Sequence, residues 1–205
     1  MPMVSDTATE QGDRPPEQSE VPHTPGETGL WVFLLGDMVV FVVMFVAFLS
    51  ERAVDADLFT SSRESVSLVI ALTNTMVLLV SSLAVVIALN AVRAGRFSPA
   101  VRAFGVALLC AVAFIGFKAT EYTHLVSDGH GPDSNAYFMW LFILTGVHLA
   151  HVVLGLGVLT ALVLRARRRV PATGTGRIVY EGGACYWHLV DLLWMMLFPL
   201  VYLVA

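Results

Sequence analysis

The sequence predicts an all-α integral membrane bundle of five transmembrane helices. Three observations lead there. Hydrophobic residues make up 57% of the 205 and charged residues only 14%, where a soluble domain carries about 25% charged residues; the mean hydropathy is +0.74. Five apolar runs each approach the roughly 20 residues that ~30 Å of hydrocarbon demands. Their length and lack of strict two-residue alternation exclude barrel strands, leaving helices to satisfy the backbone in lipid.

In chain order, residues 1–28 come first: an acidic, proline-rich tail with Pro2, Pro15, Pro16, Pro22 and Pro25 among Ser, Thr, Glu and Gln. Such a segment cannot bury enough apolar surface to offset its ordering entropy, so it is expected to be disordered. Its acidic start also lacks the basic opening of a signal peptide. The transmembrane domain then occupies 29–205, with spans at about 29–50, 68–90, 100–119, 137–164 and 184–204. The third span is expected to run on as helix towards Glu121 and Tyr122. The fourth is long enough to tilt or project from the bilayer.

Charge in the connections sets an expected orientation. Arg93, Arg96 and Arg102 follow the second span, and Arg165, Arg167, Arg168, Arg169 and Arg177 follow the fourth, whereas the other two connections are acidic or mixed. The positive-inside rule then places the N-terminus in the cytoplasm and the C-terminus outside. Eleven of the twelve basic residues are arginine, a bias of GC-rich bacterial genes, and the expected location is a bacterial inner membrane. The tail holds Asp6, Glu10, Asp13, Glu17, Glu20 and Glu27 against Arg14 alone. A nucleic-acid partner needs a basic patch; the one candidate, Arg165–Arg169, directly follows an apolar run and reads as a membrane anchor. Cys110 and Cys185 have neither metal-site nor disulfide spacing.

An ionisable side chain inside a membrane helix needs a partner or a task. Asp37 lies about eight residues into the first span, roughly 12 Å deep. It shares a helix face with Leu34, Phe41, Phe45 and Phe48. His148, His151 and Gly155 share a face of the fourth span, where Gly155 permits close approach of a neighbour. His188 and Asp191 are three apart on the fifth. Asp37 and the polar faces of the fourth and fifth spans are expected to point inward as a buried polar seam, the carboxylates hydrogen-bonded by imidazole (His151 or His188 for Asp37), by water or by a bound head group. Two histidines three apart can resemble metal ligands or brace helices, and Asp37 can serve as a relay carboxylate or a structural one. Lys118 and Glu121 are expected to pair along their helix. Trp31, Tyr137, Trp140, Trp187 and Tyr202, near span ends, are expected to anchor at the interface. His23, His124 and His130 are expected to be surface residues.

The motifs resemble a known family. Tyr186-Trp187-His188-Leu189-Val190-Asp191-Leu192-Leu193-Trp194 resembles the Y-W-H-x-V-D-x-x-W signature of subunit III of haem-copper cytochrome c oxidases. Thr145-Gly146-Val147-His148-Leu149-Ala150-His151-Val152 is similar to its T-G-x-H-x-x-H-V motif. Asn74-Thr75 with Ser81-Ser82, and Glu121-Tyr122 after Lys118, resemble further blocks. Asp37 stands where that family usually has a buried glutamate in a lipid-binding cleft. The likeness covers about 26–203 and corresponds to a short five-helix form, without the two leading helices of the seven-helix fold.

The resemblance implies a non-catalytic subunit that packs on subunit I, and on subunit II as a further partner. It would bind phospholipid and support assembly and proton uptake, while haem and copper reside in those partners. Asp37, Glu121, His148, His151, His188 and Asp191 would then form a lipid-binding or buried polar seam, with Asn74, Gly155, Trp187 and Trp194 packing helices together. Glu181-Gly182-Gly183 and the short form also resemble the nitric oxide reductase accessory protein of the same family. Two further readings are a haem-binding, quinol-oxidising anchor using His148, His151 and His188, and a proton-coupled carrier using Asp37 and Asp191.

Overall fold

The structure, a computed structural model, describes residues 28–204. All but the last residue of the expected tail lies outside these described residues, as does His23. Five helices are long and apolar enough to cross a membrane: α1 (Thr28–Val54), α3 (Leu68–Arg93), α4 (Phe97–Ser127), α5 (Ala136–Arg167) and α6 (Thr175–Pro199). A short helix α2 (Ala56–Arg63) joins the first two, and a π-helical turn (Leu200–Val204) follows α6. Among the described residues there is no strand.

Local chemistry fixes the ends. Asp55 caps α2 by accepting from the Leu58 amide at 3.1 Å, and Asn135 caps α5 by accepting from Phe138 at 3.0 Å; each satisfies an amide the helix leaves orphaned. Beyond α3 and α4 the chain turns through Gly95 (φ 69°) and Gly129 (φ 82°), the left-handed conformation that ends many helices. After α5 the same conformation falls on Arg169 (φ 52°).

The helices outrun the expected spans. At 31 and 32 residues, α4 and α5 measure about 46–48 Å, well beyond the hydrocarbon core. Helix α6 starts at Thr175 rather than near 184, because the Gly182-Gly183 pair sits inside a helix. A Cβ on Gly183 would stand 3.1 Å from Leu162 and from Val158, so close contact with α5 is what the missing side chain serves. The sequence reading also passed over α2, which is too short and too polar to register as a span.

Helices α3, α4, α5 and α6 close a four-membered ring, each packed on the next and α3 on α6. Helices α3 and α4 pack on each other and carry many small buried residues, Ala71, Ala84, Ala88 and Ala91 on one and Ala100, Ala107 and Ala111 on the other. Lipid supplies no hydrophobic drive between helices, so close backbone approach and dispersion must hold this contact. Helix α1 lies outside the ring against α5 and α6. It is fastened by Leu34, Phe41, Phe45 and Phe48, the stripe its spacing predicts, while Val39, Val40, Val43 and Val46 face outward.

Two ends can be distinguished without reference to a membrane. At the entry end α1, α4 and α6 begin and α3 and α5 stop. There the buried Glu181 carboxylate accepts from Arg93 and Arg177, each at 2.9 Å, joining α3 to α6. At the far end α2 acts as a strap. Phe59 packs edge-on between Phe48 and Tyr137, Asn135 donates to Ser62 at 2.9 Å, and Arg63 donates to the Leu203 carbonyl at 2.9 Å.

Candidate functional site: a buried polar seam

The polar side chains inside the bundle fall into three groups, each set by which helix face carries them. The first joins α1 to α5. Asp37 Oδ1 lies 3.0 Å from His151 Nε2, and His151 Nδ1 lies 2.8 Å from the Val147 carbonyl. That carbonyl can only accept, so Nδ1 carries a proton. Both contacts are then satisfied together only with a second proton between Nε2 and the carboxylate. Phe41 covers the imidazole edge-on at 5.4 Å, and Asp37 Oδ2 is buried without a hydrogen-bond partner.

The second group joins α3 to α6. His188 Nδ1 is 2.7 Å from Ser82 Oγ, and Asp191, one turn on, is buried with Oδ1 unpaired. Trp187 donates to Ser81 Oγ at 3.1 Å, which in turn donates to the Ala107 carbonyl of α4 at 3.1 Å. The Trp187 indole packs against Gly155, where a Cβ would stand 2.6 Å from its ring. Gly155 is thus the socket through which α5 admits α6.

The third group sits towards the far end. Lys118, fully buried, donates to Glu121 Oε2 at 2.8 Å and to the Tyr202 hydroxyl at 2.6 Å, and Tyr202 donates to Glu121 Oε1 at 2.8 Å. The ammonium lies 5.3 Å from the ring centres of Tyr122 and Trp194, within cation–π range. Trp194 donates to Thr75 at 3.0 Å. His148, fully buried, is flanked by Phe114 at 5.7 Å and Trp194 at 5.1 Å, with no protein partner on either ring nitrogen. Asn74 is likewise fully buried with its amide unpaired by protein.

The sequence-predicted residues are therefore divided among several helix contacts. Of the two partners expected for Asp37, the geometry gives His151, while His188 turns to Ser82. His148 and His151 are three apart yet diverge, one into the ring and one towards α1. Among the described residues no group of three or more His, Cys, Asp or Glu is placed to share a metal ion.

Three aromatic residues expected at the interface are instead in the core: Tyr137, Trp187 and Tyr202 are buried. The reason is length. Trp187 stood near an expected helix start, but α6 begins twelve residues earlier. Tyr137 and Tyr202 turn inward because Tyr137 donates to the Val201 carbonyl at 3.3 Å and Tyr202 closes on Lys118. His130, expected on the surface, is partly exposed there and stacks on Phe138 at 4.7 Å. Sequence reading also missed the Glu181 clamp and the partnership of Ser82 with His188. A serine or a loop-side glutamate leaves no mark in a hydropathy pattern.

Beside the seam, an apolar groove of about 200 Å³ runs between α1 and α6 past Leu34, Met38, Leu189 and Leu192, with His188 on its wall. Its lining suits hydrocarbon.

The family model described as cytochrome c oxidase subunit III matches residues 23–205. Among curated relatives, the chain is 33% identical over 178 residues to the cytochrome c oxidase subunit 3 of Alkalihalophilus pseudofirmus, covering 86% of this chain and 85% of the relative. It is 32% identical over 182 residues to the cytochrome bo(3) ubiquinol oxidase subunit 3 of Pseudomonas aeruginosa, covering 86% and 84%. It is 30% identical over 179 residues to the quinol oxidase subunit 3 of Bacillus subtilis, covering 86% of each.

Proposed function

The chain belongs to the cytochrome c oxidase subunit III family, and from that premise we propose that it braces a haem-copper catalytic subunit, retaining lipid and supporting proton uptake without carrying a redox centre. It is a multi-pass bacterial membrane protein associated with an oxidase complex. On this reading haem and copper reside in subunits I and II, phospholipid occupies the face beside α1, and the N-terminus lies in the cytoplasm. The observation that carries it is how the intramembrane polar groups are engaged. Asp37 meets His151, His188 meets Ser82, and Lys118 meets Glu121 and Tyr202. Each contact fastens side chains from different helices or caps a buried ion pair, which is the chemistry of a brace.

A second reading concerns the electron donor alone. Relatives named as cytochrome c oxidase subunits and relatives named as quinol or ubiquinol oxidase subunits match at similar identity, so the donor is either cytochrome c or a quinol. Purifying the tagged chain in mild detergent tests both readings. A haem-copper oxidase subunit I should co-purify, and oxygen consumption should respond to one donor and not the other. Recovery of the chain alone with a stoichiometric haem band, or with a nitric oxide reductase catalytic subunit, overturns the assignment.

Asp37→Ala provides a second test. It removes the acceptor facing His151 and exposes the α1–α5 contact, so the complex should start at native rate. It should then lose activity several-fold faster during turnover, with less co-purified phospholipid. Immediate loss of electron transfer in a fully assembled complex contradicts that role.

A further inference from the structure

We propose that the acidic segment of residues 1–27 docks in an arginine-lined cavity at the entry end of this same chain. The cavity, about 320 Å³, lies between the start of α4 and the end of α5, walled by Phe97, Val101 and Ala166 with Arg102, Arg167 and Arg169. The three guanidinium groups are exposed, and among the described residues no carboxylate pairs with any of them. Their neighbours Arg93 and Arg177 are, by contrast, both engaged by Glu181.

Two features add to the positive field of this cavity. The first turn of α4 forms part of its wall, and no side chain caps that helix start, so orphan amides and the positive end of the helix dipole are open to an acceptor there. Arg169 also holds a left-handed backbone, φ 52°, at the position where α3 and α4 are followed by Gly95 and Gly129. That conformation is unfavourable for any residue with a Cβ. The chain thus carries a guanidinium where a glycine would have turned the corner with less strain.

The occupant follows from charge, attachment and reach. Residues 1–27 carry Asp6, Glu10, Asp13, Glu17, Glu20 and Glu27 against Arg14. The segment is joined to the start of α1. Phe48 near the end of α1 reaches Tyr137 at the start of α5 through Phe59, so the two helices run antiparallel and the start of α1 shares an end with the close of α5. At up to about 3.3 Å per residue, the segment can extend over several helix diameters of ~10–12 Å. Tethering raises its effective concentration to about the millimolar range, and its prolines restrict the free chain, so less entropy is lost on docking. The latch is electrostatic, and salt must release it.

Cleavage of the segment reads the latch directly. In the intact complex, in phosphatidylcholine nanodiscs at low salt, a glutamate-specific protease should cut slowly after Glu10, Glu17 and Glu20. Cutting should accelerate about tenfold at roughly 0.5 M salt, where the Debye length falls below ~5 Å. The triple variant R102Q/R167Q/R169Q should show the same acceleration at low salt. Equal rates in native and triple-variant complexes overturn the proposal. So does a triple variant that sheds bound phosphatidylglycerol while its cleavage rate stays native, since the cavity is then a lipid head-group site. A second measurement leaves the bundle untouched. With the six tail acids changed to Asn or Gln, amides 97–102 should exchange hydrogen several-fold faster than in the native complex; unchanged protection also overturns the proposal.

Discussion

Lys118→Met lowers the stability of the folded bundle by about 3–5 kcal/mol, the range found when one partner of a buried ion pair is removed. The ammonium touches both Glu121 and Tyr202 and has no route to water. Its removal leaves a buried carboxylate whose remaining donor is the Tyr202 hydroxyl, in surroundings where an uncompensated charge is expensive. Unfolding in sodium dodecyl sulfate, followed by helicity or by tryptophan emission, measures the loss. Replacing Glu121 by Leu at the same time should restore most of it, because a well-packed apolar pair is often as stable as the ion pair it replaces. A single-variant loss below about 1 kcal/mol would mean that the site is hydrated and the pairing incidental.

Trp187→Ala should separate α6 from α3 and α5, at a cost of about 2–3 kcal/mol and with reduced recovery of the assembled complex. In a water-soluble core Trp→Ala costs about 3–5 kcal/mol. Part of that is transfer from water, which is missing when the alternative surroundings are lipid. What remains is the cavity beside Gly155 and the hydrogen bond to Ser81. Trp187→Phe keeps an aromatic ring, though a smaller one, and loses the donor, so it should retain more than half of the stability. Native yield of complex for the alanine variant would rule out a packing role.

Much of the fold was legible because lipid imposes a length. Five runs of the right span gave five helices, and the phenylalanine stripe on α1 stood out from its valines clearly enough to name the buried face. Helix ends were less legible. Once a helix leaves the hydrocarbon its hydropathy falls while its hydrogen bonding continues, as in α6 between Thr175 and Ala184. Burial was harder still. With lipid outside and apolar neighbours inside, both faces of α4 read alike, so the Lys118–Glu121 pairing was legible but its complete burial was not. The Asp37–His151 contact was foreseeable from one carboxylate and few imidazoles. The choice between His151 and His188 was not, because it depends on α1 lying against α5 at that level.

The lopsided attachment of α1 has a mechanical consequence. One side holds it to the ring, through Leu34, Phe41, Phe45, Phe48 and the Asp37–His151 contact, while Val39, Val40, Val43 and Val46 face away from the bundle. Drawn from its amino end, the protein should therefore yield α1 at low force as a separate early event, with the four interlocked helices resisting longer. A partner seated on that bare valine side would raise the first rupture force and leave the later ones unchanged.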